Sequence, residues 1–136
     1  MQANSFLSLR KYVVNKMLFS INENFQLNQN EPIELHPEFS RQIRKLDSDN
    51  ALINLHFQIK NDEANLPFSI EVNIEGLFHL ENWEKPGTIS LMTTNSIAIL
   101  FPYLRSIVSV ITANANIAPY VIPVMNINAL FEQDKA

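Results

Sequence analysis

Residues 51–80, ALINLHFQIKNDEANLPFSIEVNIEGLFHL, carry the reading that decides the fold. Ala51, Ile53, Leu55, Phe57 and Ile59 alternate with Asn54, His56, Gln58 and Lys60, the two-residue period of a strand with one buried face. The same period returns from Leu66, where Phe68, Ile70, Val72 and Ile74 alternate with Ser69, Glu71, Asn73 and Glu75. NDEAN between the two runs supplies turn residues, so the stretch reads as an antiparallel hairpin. Gly76 interrupts the second run and suggests a bulge or bend before LFHLEN.

Outward from the hairpin, residues 6–21 form an earlier extended segment with Val13, Met17, Phe19 and Ile21 at alternating positions. Antiparallel pairing of all three segments is the economical arrangement, because each keeps one polar face for water. Residues 22–50 then read as a long connection rich in Asn, Gln and charge. Loops of that length in compact domains tend to be functional or disordered. Within it, PIELHPEFSRQI places Ile33, Leu35, Phe39 and Ile43 on odd positions, which suits either an apolar edge laid along a neighbouring surface or an edge strand. Arg41, Arg44 and Lys45 gather beside Asp47 and Asp49, the composition of a solvated loop face.

The period changes after residue 95. Ile97, Leu100 or Phe101, Leu104, Ile107 or Val108, and Ile111 follow the spacing of three and four, predicting a long helix over about 96–114 with Thr94 or Asn95 as cap. Pro102 removes a backbone donor and crowds the carbonyl four residues back, so the helix either starts near Phe101 or is kinked there. Asn114 and Asn116 tolerate the left-handed backbone that ends helices. The remaining face offers only Tyr103, Val110, Arg105, Ser106, Ser109 and Thr112. A helix this poor in charge is covered on both sides, which predicts a second copy of the chain against it. Pro119 and Pro123 then enforce an extended stretch, and Ile127, Leu130 and Phe131 close a short terminal helix over about 126–133, either a lid over apolar surface or a clamp on the core.

Composition narrows the chemistry. At 136 residues the chain is read as one domain, 1–136, able to bury about two thirds of its unfolded surface. It has no cysteine, which excludes thiolate catalysis and zinc–thiolate sites and suits a reducing compartment. A net charge of −4 argues against a nucleic-acid partner. The amino-terminal stretch lacks the cationic and apolar blocks of a secretory signal, and no run reaches about 18 uninterrupted apolar residues, so a cytoplasmic protein without membrane insertion is expected. His36, His56 and His79 show no metal-ligand spacing, and the two glycines, Gly76 and Gly87, build no phosphate-binding loop. Glu71 and Glu75 lie on an outward strand face. No enzyme, metal or cofactor is therefore expected.

Residues 96–131, SIAILFPYLRSIVSVITANANIAPYVIPVMNINALF, resemble the carboxyl-terminal half of the SecB family of protein-export chaperones. The matches are Ile99, Leu100, Phe101, Pro102, Tyr103 and Arg105, then Asn126, Ala129, Leu130 and Phe131, two blocks in order at the family's separation. Weaker similarity runs back through FSIEVNIEGLF and HPEF to the first strand. The resemblance implies an α+β fold: an antiparallel sheet of about four strands, a crossover loop, a long helix and a short C-terminal helix. It implies a homotetramer, a dimer of dimers, with Phe101, Tyr103, Leu104, Ile107, Val110 and Ile111 at subunit contacts. It further implies ATP-independent holding of unfolded polypeptides in grooves lined by Ile33, Leu35, Phe39, Arg41, Ile43, Leu130 and Phe131, and delivery to the motor SecA through an acidic face on which only Glu71 is kept. Arg41 stands where the groove's middle apolar residue is expected, which favours acidic or polar client segments. A chaperone dedicated to one client, such as the antitoxin of a toxin–antitoxin system, and a structural oligomer without clients are the alternatives.

Overall fold

A computed structural model describes residues 7–25, 35–60, 66–81, 88–117 and 120–123. Among these residues four strands, β1 (Leu7–Ile21), β2 (Glu38–Lys45), β3 (Asn50–Ile59) and β4 (Phe68–Leu80), precede one helix, α1 (Thr88–Asn114). They form a single antiparallel sheet in the order β1-β4-β3-β2, with α1 packed on one face. The architecture is α+β.

The central pair is the hairpin anticipated above. Burial alternates strictly along β3 and β4, so Ile53, Leu55, Phe57, Ile59, Ile70, Val72, Ile74 and Phe78 face the helix while Asn54, His56, Gln58, Glu71, Asn73 and Glu75 face away. Gly76 does not bend its strand: β3 pairs with β4 without a register shift, and Gly76 sits opposite Ile53. A Cβ there would lie 2.8 Å from Phe78 Cε2 and 3.0 Å from both Leu100 Cδ2 and Leu9 Cδ1, so the glycine makes room where the helix crosses the sheet.

The irregularity belongs to β1 instead. Its register against β4 shifts between Leu9 and Lys11 and again between Val14 and Lys16, leaving Arg10 and Asn15 as bulges. Each bulge resets the alternation. Directly paired residues share a face, so Met17, Phe19 and Ile21, opposite Val72, Ile70 and Phe68, point to the helix side, whereas Val13, opposite Glu75, points the other way. The four residues grouped from the sequence therefore divide between two faces.

The segment 22–50 is not one loop. Its second half holds β2, an edge strand pairing with β3 from Glu38–Gln58 to Lys45–Ala51, closed by a tight turn in which Leu46 N and Asp47 N donate to Asn50 O at 2.8 and 3.3 Å. Because β1 and β2 are opposite edges, the chain passes from one edge of the sheet to the other between Ile21 and Glu38. The crossing starts at Asn22, whose N donates to Pro67 O and whose Nδ2 donates to Leu66 O, both at 2.9 Å.

The helix starts at Thr88, earlier than its periodicity indicates, and runs through Pro102; Thr94 and Asn95 lie inside it. Burying Met92 against the sheet extends it upstream, since tertiary packing rather than capping sets most helix lengths. Pro102 and Ala98, four residues back, are both exposed, so water can take up the carbonyl that proline leaves unpaired. Ile97, Leu100, Phe101, Leu104 and Val108 form the buried stripe. By length and composition the stretch Met92–Asn114 is apolar enough to cross a membrane; here that stripe lies on the sheet. Asn116, at φ 62°, reverses the chain after the helix.

Candidate functional site

The residues that sequence reasoning assigned to client binding fall into two groups. Ile33, Leu130 and Phe131, with the expected helix 126–133, lie outside the described residues. Leu35, Phe39, Arg41 and Ile43 come together along the outer edge of the sheet. Phe39, Arg41 and Ile43 pair with Phe57, Leu55 and Ile53, so all three point to the helix side. Each is half-buried, and Leu35, Phe39 and Ile43 pack against the core.

Phe39 is the hinge of this rim. Its ring centroid lies 5.3 Å from that of Phe57 and 5.8 Å from that of Phe101, both in tilted geometry favourable to aromatic pairs. Phe101, expected at a subunit contact, is 6% exposed and floors the rim; Leu104, expected beside it, is fully buried in its own subunit. Of that group, Tyr103 and Val110 are exposed, at 39% and 54%, while Ile107 and Ile111 are partly buried against the core.

A second apolar surface lies along β1. Tyr12, Val13, Met17, Leu18 and Ile21 are all between 43% and 56% exposed, on both faces of the strand. The Tyr12 ring stacks on Tyr103 with centroids 4.6 Å apart, joining this surface to the outer side of the helix.

Asn54, His56, Gln58, Glu71, Asn73 and Glu75 make the middle of the sheet face away from the helix polar. Glu71 sits at its centre, accepting from His56 Nε2 at 2.6 Å and pairing with Lys16 Nζ at 3.2 Å. The hydrogen bond from His56, and then the Lys16 ammonium, hold the Glu71 carboxyl below its usual range, so it is ionised at neutral pH. Beside it an open depression of about 440 Å³ is rimmed by Leu18, Gln58, Lys60 and Ser69. Among the described residues no group of three or more His, Asp and Glu side chains could hold a metal ion.

Sequence reasoning missed the purpose of the helix's small polar residues. Arg105 Nε donates to Ile122 O at 2.7 Å, Ser109 Oγ to Tyr120 O at 3.2 Å, and Thr112 Oγ1 accepts from Tyr120 N at 2.8 Å. Residues 105, 109 and 112 share one helical face. That face latches the returning chain, burying Ile122 and bringing Tyr120 against Phe68. The spacing of these residues ahead of two prolines was the available signal. Thr112→Val, which keeps the shape and removes the acceptor, is expected to destabilise by about 1–2 kcal/mol, with Thr112→Ser nearly neutral. Urea unfolding of the two variants checks this, and equal midpoints would remove the latch.

A crossover sheet backed by one long apolar helix, rimmed by aromatic residues, defines an α+β protein of the SecB-like type. The chain belongs to the SecB family: the family model described as preprotein translocase subunit SecB matches residues 2–136. An uncharacterised protein of Methanocaldococcus jannaschii is 31% identical over 125 residues, covering 89% of this chain and 79% of that protein. The protein-export protein SecB of Saccharophagus degradans is 28% identical over 98 residues, covering 71% of this chain and 58% of its own length, so the match spans little more than half of that relative. Among solved structures, the Mycobacterium tuberculosis SecB-like chaperone Rv1957, in complex with a ChAD peptide from the HigA1 antitoxin, superposes with a TM-score of 0.68 at 12% identity, covering 88% of this chain and 90% of that one. That likeness is one of fold.

Proposed function

We propose that this chain is an ATP-independent holding chaperone of the cytoplasm that binds unfolded polypeptide segments without cofactor and works as a homotetramer. The observation that carries the reading is exposed apolar surface beyond what one subunit hides: Tyr12, Val13, Met17, Leu18, Ile21, Tyr103 and Val110 all remain 39–56% exposed. Surface of that kind marks binding or assembly. In this reading Tyr103 and Val110 meet a second copy, and the rim of Leu35, Phe39 and Ile43, extended by Ile33, Leu130 and Phe131, receives the client. Burial at about 25 cal/mol per Å² over many weak contacts tolerates varied sequences, and binding the unfolded form alone protects it by mass action without fuel. Glu71 is the point of contact offered to SecA.

A second reading, a chaperone dedicated to one client such as an antitoxin, draws support from Arg41 on the rim and from the fold shared with the antitoxin-bound Mycobacterium protein. Both are tested by mixing the purified protein, without nucleotide, with a chemically unfolded, aggregation-prone substrate. Suppressed light scattering is expected for the general holdase. Suppression confined to one co-purifying partner selects the dedicated chaperone, and no suppression of any substrate leaves a structural oligomer.

A further inference from the structure

The stretch Tyr120–Pro123 shows which way the chain leaves the helix. Tyr120 is held by Ser109 and Thr112, and Ile122, two residues on, by Arg105, so the stretch runs antiparallel to α1. The helix rises about 6–10 Å between residue 105 and residues 109–112, and two extended residues span about 7 Å, so the two spacings match. Ile122 is buried while Val121 and Pro123 are exposed, the alternation of extended backbone. Pro123 has no N–H of its own and keeps Ile122 extended. The bond from Arg105 Nε to Ile122 O, at 2.7 Å, is therefore the last hold of the helix on this stretch among the described residues. Its donor is a guanidinium, whose hydrogen bonds are stronger than those of the neutral hydroxyls at Ser109 and Thr112.

The side of the helix is fixed as well. Phe101 packs on Phe39 of β2, and Tyr103, two residues on and so across the helix from it, packs on Tyr12 of β1. Arg105 lies one turn beyond Phe101 and shares its side. The extended stretch consequently lies on the β2 side of α1 and heads for Phe101, about 6 Å further along the axis. Phe101 is the floor of the rim formed by Leu35, Phe39 and Ile43.

Resting on the chaperone reading above, we propose that Arg105 is a positioning residue for client binding: its bond to Ile122 O aims the chain after Pro123 at the Phe39–Phe101 rim, where Leu130 and Phe131 complete the apolar surface that a client meets. Residues 124–131 number eight. They span up to about 26–29 Å extended and about 12 Å as a helix, and both exceed the distance left along the axis. Arg105 touches no client in this arrangement. Losing its donor leaves Ile122 its apolar contacts but frees the Ile122 carbonyl, and with it the direction in which the chain departs.

The chain has no cysteine, so introduced thiols report without competition. In the full chain, I43C/L130C treated with a short bifunctional maleimide is expected to cross-link within one chain, and Y12C/L130C, on the β1 side, is not. R105M keeps the apolar stem and removes the donor. It is expected to slow the cross-link to position 43 about tenfold, and to raise about tenfold the concentration of protein that halves the aggregation of a chemically unfolded substrate. R105K, which can still donate to the carbonyl, is expected to restore both to within about threefold. L130A/F131A is expected to lose as much capture as R105M, and the triple variant no more, because the two act through one surface. Cross-linking to position 12 instead, cross-linking between chains or none, R105M values equal to the wild type, no rescue by R105K, or additive losses in the triple variant would each overturn the proposal. Urea unfolding checks that R105M is folded under the assay conditions; should it not be, the choice between positions 43 and 12 in the chain with Arg105 intact decides. A wild type that captures no substrate sinks the chaperone reading and this inference with it, whereas capture that R105M leaves unchanged sinks this inference alone.

Discussion

Leu104→Ala is expected to cost about 2–5 kcal/mol of unfolding free energy, whereas Val110→Ala, six positions on, is expected to cost less than about 0.5 kcal/mol within the subunit. Leu104 is fully buried in the stripe that α1 lays on the sheet, and truncating it leaves a cavity among side chains with little freedom to collapse. Val110 stands 54% exposed on the outer side, where truncation removes no contact with the sheet. If a second copy covers that side, the Val110 variant changes assembly rather than intrinsic stability. Urea unfolding at several protein concentrations separates the two effects, because only assembly makes the midpoint concentration-dependent. A mild Leu104 variant beside a severe, concentration-independent Val110 variant would reverse the assignment of the helix faces.

Gly76→Val is the second large effect. Glycine inside a strand ordinarily weakens it, so replacement by a β-branched residue at an open position stabilises. Here the first added carbon already meets Phe78, Leu100 and Leu9 at 2.8–3.0 Å, and Phe78 and Leu100 are themselves fully buried. The contacting atoms are side-chain ends, but in a sealed core they move only by displacing further neighbours. Gly76→Ala is therefore expected to destabilise by about 1–3 kcal/mol and Gly76→Val by more. The sign is the test: a neutral or more stable Gly76→Ala protein would mean that the helix does not press on the sheet at this point.

The legibility of the fold varied with how directly each element's burial is written into its residue pattern. β3 and β4 are central, buried on one face along their whole length, and their alternation is unbroken, so they could be read at once. β1 has the same composition, but the bulges at Arg10 and Asn15 change the phase, and no local signal marks a bulge where no glycine sits. β2 hid behind its charges: an edge strand tolerates Arg41, Arg44 and Lys45, and their presence resembled a solvated loop. In the helix, the buried stripe was plain. Its early start was not, because Thr94 and Asn95 are good caps in isolation and only packing of Met92 overrides them. For the site, Phe39 and Ile43 were legible as apolar residues at odd positions. That Phe101 would lie beneath Phe39 was not, since a helical period does not tell which of two adjacent apolar residues faces a partner and which faces its own sheet.

The crossing of the chain from one edge of the sheet to the other also sets an order of events during synthesis. Of the four described strands β1 emerges from the ribosome first, yet its one neighbour among them is β4, the last of the four to appear, with Leu7 meeting Leu80. β3 and β4 are neighbours in sequence and can close as a local hairpin, the fast kind of contact. Until they do, the apolar side chains of β1 have nowhere to go. β1 is thus the first of these four strands to be made and the last to find its place, and its safekeeping falls to whatever waits at the exit tunnel.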